Sequence, residues 1–343
     1  MHAQPLAARV GRKLSHWASH LHTADPTRDL DPLLRRTFTR DDPAPYGRNM
    51  LMPMALPVEP SFSEDQPDKM RVTLQPLPPE APGTDRRDEV TSAMRHFVNG
   101  LAGTDAIRWF DRVSEPFRGF QHNSALNYGA FFGTAHDRDG LYTSKVYYET
   151  PQGQGAIDGL APELVRVVMM VMEGIPGLTP LFTTIAAQRD SGEQKLTFAC
   201  TSPLKLADLQ PTLDRLGLGH RLGAIMQTLG LVLGGRFELP AHSTLLAFGH
   251  GPYGPDFEIY VLLDTIEDVP PSFLSLLTMG LNERPRALRA FERWMGAFTP
   301  DNEYWPGRFS IISLRTNRAS QPRVSLYLRP AEFELQNAEQ SAA

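Results

Sequence analysis

Five short stretches carry the residues that could do chemistry, and in each the polar members recur two positions apart. They are Arg71 in M-R-V-T-L-Q-P, Lys145 and Tyr147 in K-V-Y, Lys195 in Q-K-L-T-F, Glu258 and Tyr260 in F-E-I-Y-V, and Arg323, Tyr327 and Arg329 in R-V-S-L-Y-L-R-P. Alternation is the period of a β-strand, whose side chains point to opposite faces in turn. One face of each stretch is apolar and wants a core. The other presents cations and phenols. For one strand alone a solvated face fits as well. The recurrence favours a shared, enclosed polar face. Arg71, Lys145, Lys195, Arg323 and Arg329 in one enclosure repel one another, and each left unpaired there costs on the order of several kcal/mol. A diphosphate is a suitable partner, because its oxygens accept charge-assisted bonds from several Arg and Lys side chains. Tyr147, Tyr260 and Tyr327 can donate hydrogen bonds to it, or turn their ring faces to an organic cation.

The elements that position these residues come in pairs. Extended segments are expected at 51–63 with 70–77, 124–135 with 141–150, 180–188 with 194–201, 243–250 with 256–264, and 308–316 with 323–328. Short polar connectors join the members of each pair, including an Asp-Gly at 139–140 that signals a hairpin. Pro53, Pro57 and Pro60 make the first segment irregular. Between the pairs, helical periodicity runs over 89–101 and 105–113, 161–173, 205–216 and 220–233, then 272–279 and 284–298. A further helix spans 6–21, with Val10, Leu14, Trp17 and Leu21 on one stripe. The unit is a hairpin followed by one or two helices, repeated about five times. Short links make the hairpins antiparallel. The expected fold is α+β: a ten-stranded antiparallel β-barrel with a solvent-filled lumen, surrounded by helices. Residues 1–50 form a helical extension, 51–330 one barrel domain, and 331–343 a flexible tail.

Composition narrows the function. The chain has 343 residues and a formal net charge of −5. Mild acidity argues against nucleic-acid binding, which usually shows a strongly basic face. A single cysteine, Cys200, excludes a disulfide framework and a cysteine-based zinc site. It falls on an apolar face and reads as buried and inert. No run of about eighteen apolar residues occurs, so no membrane span is expected. Arg9, Arg12 and Lys13 lack an apolar run after them, so no secretory signal is read and a cytoplasmic location is expected. The ten histidines show no metal-ligand spacing, Gly234-Gly235 is a cap or turn, and no Gly-x-Ser-x-Gly elbow appears.

K-V-Y at 145–147, P-V-E-P-S-F-S at 57–63 followed by M-R-V-T-L-Q-P at 70–76, and S-L-Y-L-R-P at 325–330 together resemble the aromatic prenyltransferases of the dimethylallyltryptophan synthase type. The resemblance covers roughly 50–330 in the order and spacing of elements. It implies the ααββ barrel known as the ABBA or PT-barrel fold. It also implies that Arg71, Lys145, Tyr147, Lys195, Tyr260 and Tyr327 hold a prenyl diphosphate, with Arg323 as a further cation on the last strand. Glu59 then accepts the N–H of an indole. Three departures stand out. Lys195 and Thr197 replace a longer basic-plus-tyrosine pattern, Glu258 stands where an uncharged amide is common, and Pro60 follows Glu59.

The implied reaction transfers a dimethylallyl or longer prenyl group from its diphosphate to a small aromatic acceptor such as tryptophan. Cations stabilise the leaving diphosphate. Tyr147, Tyr260 and Tyr327 shield the allylic cation, with Glu258 on the same face. Glu59 polarises the acceptor and Lys145 removes the ring proton. No D-D-x-x-D motif occurs, so no metal and no other cofactor is expected. The expected protein is a monomer or homodimer with no nucleic-acid or membrane partner. Alternatives are a phenolic acceptor and a non-catalytic barrel that binds a hydrophobic anion. Residue by residue, Glu59 also fits a surface-loop carboxylate, Glu258 a structural ion pair, and Arg329 a strand-end cap. Tyr128, Phe132, Phe182 and Phe248 are candidate wall residues.

Overall fold

The computed structural model describes residues 4–119, 126–150, 157 and 159–335. Ten strands close into one antiparallel barrel. In chain order they are β1 (Val58–Ser63), β2 (Met70–Leu74), β3 (Ala130–Asp137), β4 (Gly140–Glu149), β5 (Leu178–Gln188), β6 (Gly192–Cys200), β9 (Thr244–Gly251), β10 (Gly254–Leu262), β11 (Gly307–Asn317) and β12 (Arg323–Pro330). The remaining two, β7 (Leu204–Lys205) and β8 (Glu238–Leu239), form a small ladder outside it. Around the barrel each strand pairs with its neighbour in sequence, β6 pairs with β9, and β1 closes the ring on β12.

Alternation decides which face turns out. Val58, Val72, Phe132, Val146, Ile185, Leu196, Phe198, Leu246, Phe248, Ile259, Leu314 and Leu326 are all buried in the apolar layer between sheet and helices. Phe132 packs edge-on against Phe97, and Phe248 lies near Phe198 and Phe257. Neither is a lumen wall: each sits one residue out of phase with the inward set.

The helices supply the other half of that layer. They are α1 (Leu6–Leu21), α2 (Thr27–Thr37), α3 (Gly83–Gly119), α4 (Pro162–Gly174), α5 (Gln210–Arg215), α6 (Leu222–Val232), α7 (Phe273–Leu281) and α8 (Pro285–Phe298). α1 buries Leu6, Val10, Leu14, Trp17 and Leu21, one stripe at helical spacing, and ends on a left-handed His22. Trp17 meets Phe298 of α8 at 4.5 Å between ring centroids and Phe333 at 5.1 Å. α3 joins the two helical segments expected at 89–101 and 105–113, with a break at Gly103, whose φ of 75° only glycine adopts readily.

Among the boundaries that differ from expectation, three bear on the ends of the barrel. The first strand begins at Val58, not 51. Pro53 and Pro57 remove donors there, and Asn49 fixes a turn by donating from its side-chain amide to the Tyr46, Met52 and Ala55 carbonyls. In the second pair, β3 begins at Ala130; residues 124 and 125 lie outside the described set. The segment after Pro330 continues as a 3-10 turn with Phe333 buried, and Leu335 donates to the Met54 carbonyl, so 331–335 is held in place. Residues 336–343 lie outside the described set. Among the described residues, no helix is long and apolar enough to cross a membrane.

A charged cavity in the barrel lumen

The inward set is fixed by the ladder register. On one wall, Arg71 of β2 pairs across to Ala135 of β3, and Lys145 of β4 lies between Gly133 and Ala186. Tyr147 leans over Gly133: a Cβ there would come within 3.2 Å of the ring. A larger residue there would require the ring to give by a few tenths of an ångström. Arg71 and Lys145 both line the cavity, and among the described residues neither has a carboxylate within ion-pair distance. Burial, then the Arg71 charge, lowers the Lys145 ammonium to about 7.

The stretch of wall from β6 round to β11 has a different character. Lys195 of β6 pairs with Gly249 of β9, where an added Cβ would sit 3.0 Å from the lysine stem. Its ammonium lies 3.1 Å from Glu193, 3.5 Å from Glu258 and 3.8 Å from Asp256. Arg315 of β11 binds Asp256 through Nε at 3.0 Å and through Nη2, and donates from Nη2 to Glu193 at 2.6 Å. Ser313 donates to Glu258 at 2.8 Å. Burial opposes charge on Glu193, but Lys195 and Arg315 outweigh it and pull the carboxyl down to about 2. The same two cations hold Glu258 below its ordinary value against burial.

This wall corrects the expectation of an unpaired ring of cations. Arg315, on the first strand of its hairpin, and Glu193 and Asp256, at the starts of the second strands β6 and β10, were not among the residues expected in the lumen. The signal was present in R-F-S-I-I-S-L-R-T, where Ser313 and Arg315 alternate, in D-F-E-I-Y, where Asp256 precedes Glu258 by two, and in E-Q-K. A lysine and an arginine facing three carboxylates satisfy one another without a ligand.

Tyrosines complete the enclosure. Tyr147, Tyr260 and Tyr327 line the cavity from β4, β10 and β12. The Tyr260 and Tyr327 rings lie 6.2 Å apart, and Tyr147 meets Phe182 edge-on at 5.7 Å. Burial raises all three phenols, so each keeps its proton and can donate. The space left among these side chains is about 50 Å³, well under the roughly 300–1,000 Å³ of a typical small-molecule site.

Nearer the opposite, helix-connected end of the barrel lies Glu59. It faces inward on β1, paired with Thr73, so Pro60 does not turn it away. It is 5% exposed and accepts a hydrogen bond from Ser310 at 3.3 Å. Burial pushes its carboxyl up to about 8, against the Ser310 bond and the Arg329 charge. It is a buried acid, not a surface-loop carboxylate. Phe131 and Phe182 take the inward phase of their strands here, and Tyr128 stacks on Phe131 at 4.3 Å.

The two outer cations of β12 go elsewhere. Arg323 pairs at 2.6 Å with the buried Glu64, which also holds Arg284 at 2.6 Å and accepts from the Val324 N–H. Arg323 therefore does not line the cavity, contrary to its expected place on the diphosphate. Arg329 lies 3.5 Å from Asp264, which also binds Arg308. Cys200 is buried and burial raises its thiol to about 11, as befits an inert side chain.

No family model matches the sequence, and no curated protein matches it. Solved structures do. A 6-dimethylallyltryptophan synthase from Micromonospora olivasterospora, in complex with DMASPP and Trp, is 16% identical, with a TM-score of 0.74 over 97% of this chain and 99% of that one. A 5-dimethylallyltryptophan synthase from Streptomyces coelicolor is 16% identical, with a TM-score of 0.72 over 98% of this chain and 100% of the other. AnaPT from Neosartorya fischeri is 13% identical, with a TM-score of 0.63 over 97% of this chain and 100% of the other. The chain has the PT-barrel fold. At these identities the likeness is one of architecture, and the chemistry is argued from the lumen itself.

Proposed function

We propose that this protein is an aromatic prenyltransferase that moves a dimethylallyl group from its diphosphate to an indole. The observation that carries the reading is the pair Arg71 and Lys145, inward-facing without carboxylate partners among the described residues, beside three protonated tyrosines in one cavity. Support comes from similar barrels whose structures hold DMASPP and Trp.

In this reading Arg71 receives the diphosphate as a permanent cation, and the tyrosines donate to its oxygens. The allylic C–O bond breaks and its electrons leave with the diphosphate, stabilised by fixed charge. The tyrosine rings face the allylic cation and keep water off it. A ring carbon of the acceptor supplies the electrons of the new C–C bond. Lys145, with a pKa near 7, is in part a free amine at neutral pH and takes the displaced ring proton. The resulting ammonium pairs with the released diphosphate. Glu59 accepts the indole N–H, and does so more strongly once ionised. Protein cations take the role a metal would otherwise have, so turnover is expected without magnesium.

The test is incubation with dimethylallyl diphosphate and a panel of indoles, with and without a chelator, read by mass spectrometry. A gain of one prenyl mass that survives chelation supports the reading. Absence of product from every pair, with folded protein, overturns it in favour of a binding barrel.

A further inference from the structure

The acidic wall has a consequence for how an anion enters. Glu193 is bound at 3.1 Å to Lys195 and at 2.6 Å to Arg315, the two cations that share the cavity with Arg71 and Lys145. Asp256 holds the same two, at 3.8 Å from Lys195 and in a two-point contact with Arg315. Only about 50 Å³ remains open. Half of the lumen's positive charge is thus occupied by the protein's own carboxylates, in the place where a ligand anion would bridge the two walls.

We propose that Glu193 is an internal counter-anion that competes with the donor's diphosphate for Lys195 and Arg315, and so sets donor affinity. This rests on the lumen being a diphosphate site. Glu193 is the member best suited to yield. It bridges both cations from one carboxylate oxygen, Oε1. Its side chain is 18% exposed, against 7% for Asp256 and 8% for Glu258. Asp256 grips Arg315 from two nitrogens, and Glu258 is held by Ser313. An arriving diphosphate offers the two cations more oxygens than one carboxylate does, and displaces it towards solvent. Charge-assisted bonds of this kind are exchanged rather than created, so the wall contributes less to donor affinity than its two cations suggest.

The experiment is calorimetric titration of the full-length chain with inorganic pyrophosphate, comparing wild type with Glu193→Gln and, separately, Asp256→Asn. The neutral amide is nearly isosteric but no longer competes as an anion. Glu193→Gln is expected to bind pyrophosphate about tenfold more tightly or better, the scale of one charged hydrogen bond. It is expected to lower the KM for dimethylallyl diphosphate more than it changes kcat. Asp256→Asn, which loosens Arg315 itself, gains less than Glu193→Gln. Wild-type binding with an equal or weaker Glu193→Gln overturns the counter-anion and leaves the transferase reading standing. Should Glu193→Gln fail to fold, an Asp256→Asn that binds no more tightly than wild type also overturns it. No pyrophosphate binding by any folded form overturns both.

Discussion

The two walls of the lumen carry equal numbers of cations and opposite electrostatics. On β2 and β4, Arg71 and Lys145 lie beside the uncharged Ala135, Gly133 and Ala186 in the ladder, and Lys145 feels Glu193 only from beyond ion-pair distance. On β6, β10 and β11, Lys195 and Arg315 are netted by Glu193, Asp256 and Glu258. One wall is short of an anion and lowers its lysine to about 7. The other is satisfied, and its lysine is held above the ordinary value because the carboxylates outweigh burial and the Arg315 charge. Counting inward cations therefore misjudges where a ligand binds. What matters is which of them still lack a partner.

If the unpaired wall performs the chemistry, Lys145→Ala should abolish measurable turnover, a loss of at least about 100-fold. Lys145→Arg should be as inactive, since guanidinium cannot act as a base, yet keep pyrophosphate binding within about threefold. An active Lys145→Arg would remove the proton-transfer role. Next in size, Arg71→Met should weaken pyrophosphate binding by on the order of 30-fold or more by titration, the cost of losing a charged donor. A smaller loss there than in Lys195→Met would reverse the ranking of the walls.

Glu59 sharpens the contrast by its pH behaviour. Its folded pKa is raised from 4.5 to about 8, so stability present at pH below 4.5 is lost as pH rises through about 8. Glu59→Gln should therefore gain stability over wild type between pH 5 and pH 9, by on the order of a few kcal/mol in denaturant titrations. Acceptor kcat/KM in the wild type should rise with pH through about 7, as Lys145 loses its proton, and on through about 8, as Glu59 ionises; Glu59→Gln should keep only the limb near 7. The smallest effect is expected at Arg323, outside the cavity. Arg323→Gln should leave kcat within about threefold while lowering stability by about 1–3 kcal/mol, because the buried Glu64 loses a partner.

The barrel was legible in the sequence because a two-residue period forces every side chain to choose a face, and five hairpins made the same choice. Lys145, Tyr147, Lys195, Tyr260 and Tyr327 could be assigned to the lumen on that basis. Phase errors marked where it failed. Phe132 and Phe248 are aromatic and central to their strands, yet fall on the outward beat. Arg323 has the correct phase but sits at the strand's first residue, where Glu64 of the adjoining turn reaches it. Pairing across the lumen was not legible at all. Glu193 and Arg315 are separated by 122 residues, and nothing local in either stretch announces the other.

The closure of β1 on β12 has a kinetic meaning. Ser61 pairs with Tyr327, and Ser63 with Ser325, across more than 260 positions of chain. Until β12 has been made, β1 and β11 each expose an unpaired edge, and the cavity has no fourth side. Contacts this distant in sequence form slowly, because the entropy of closing the loop must be lost before the ladder rewards it. The hairpin of β11 and β12 sets Tyr327 opposite Ile311 locally, and the β1–β12 ladder that encloses it is expected to form last. Pyrophosphate affinity should return on refolding in a phase that trails the return of helical ellipticity.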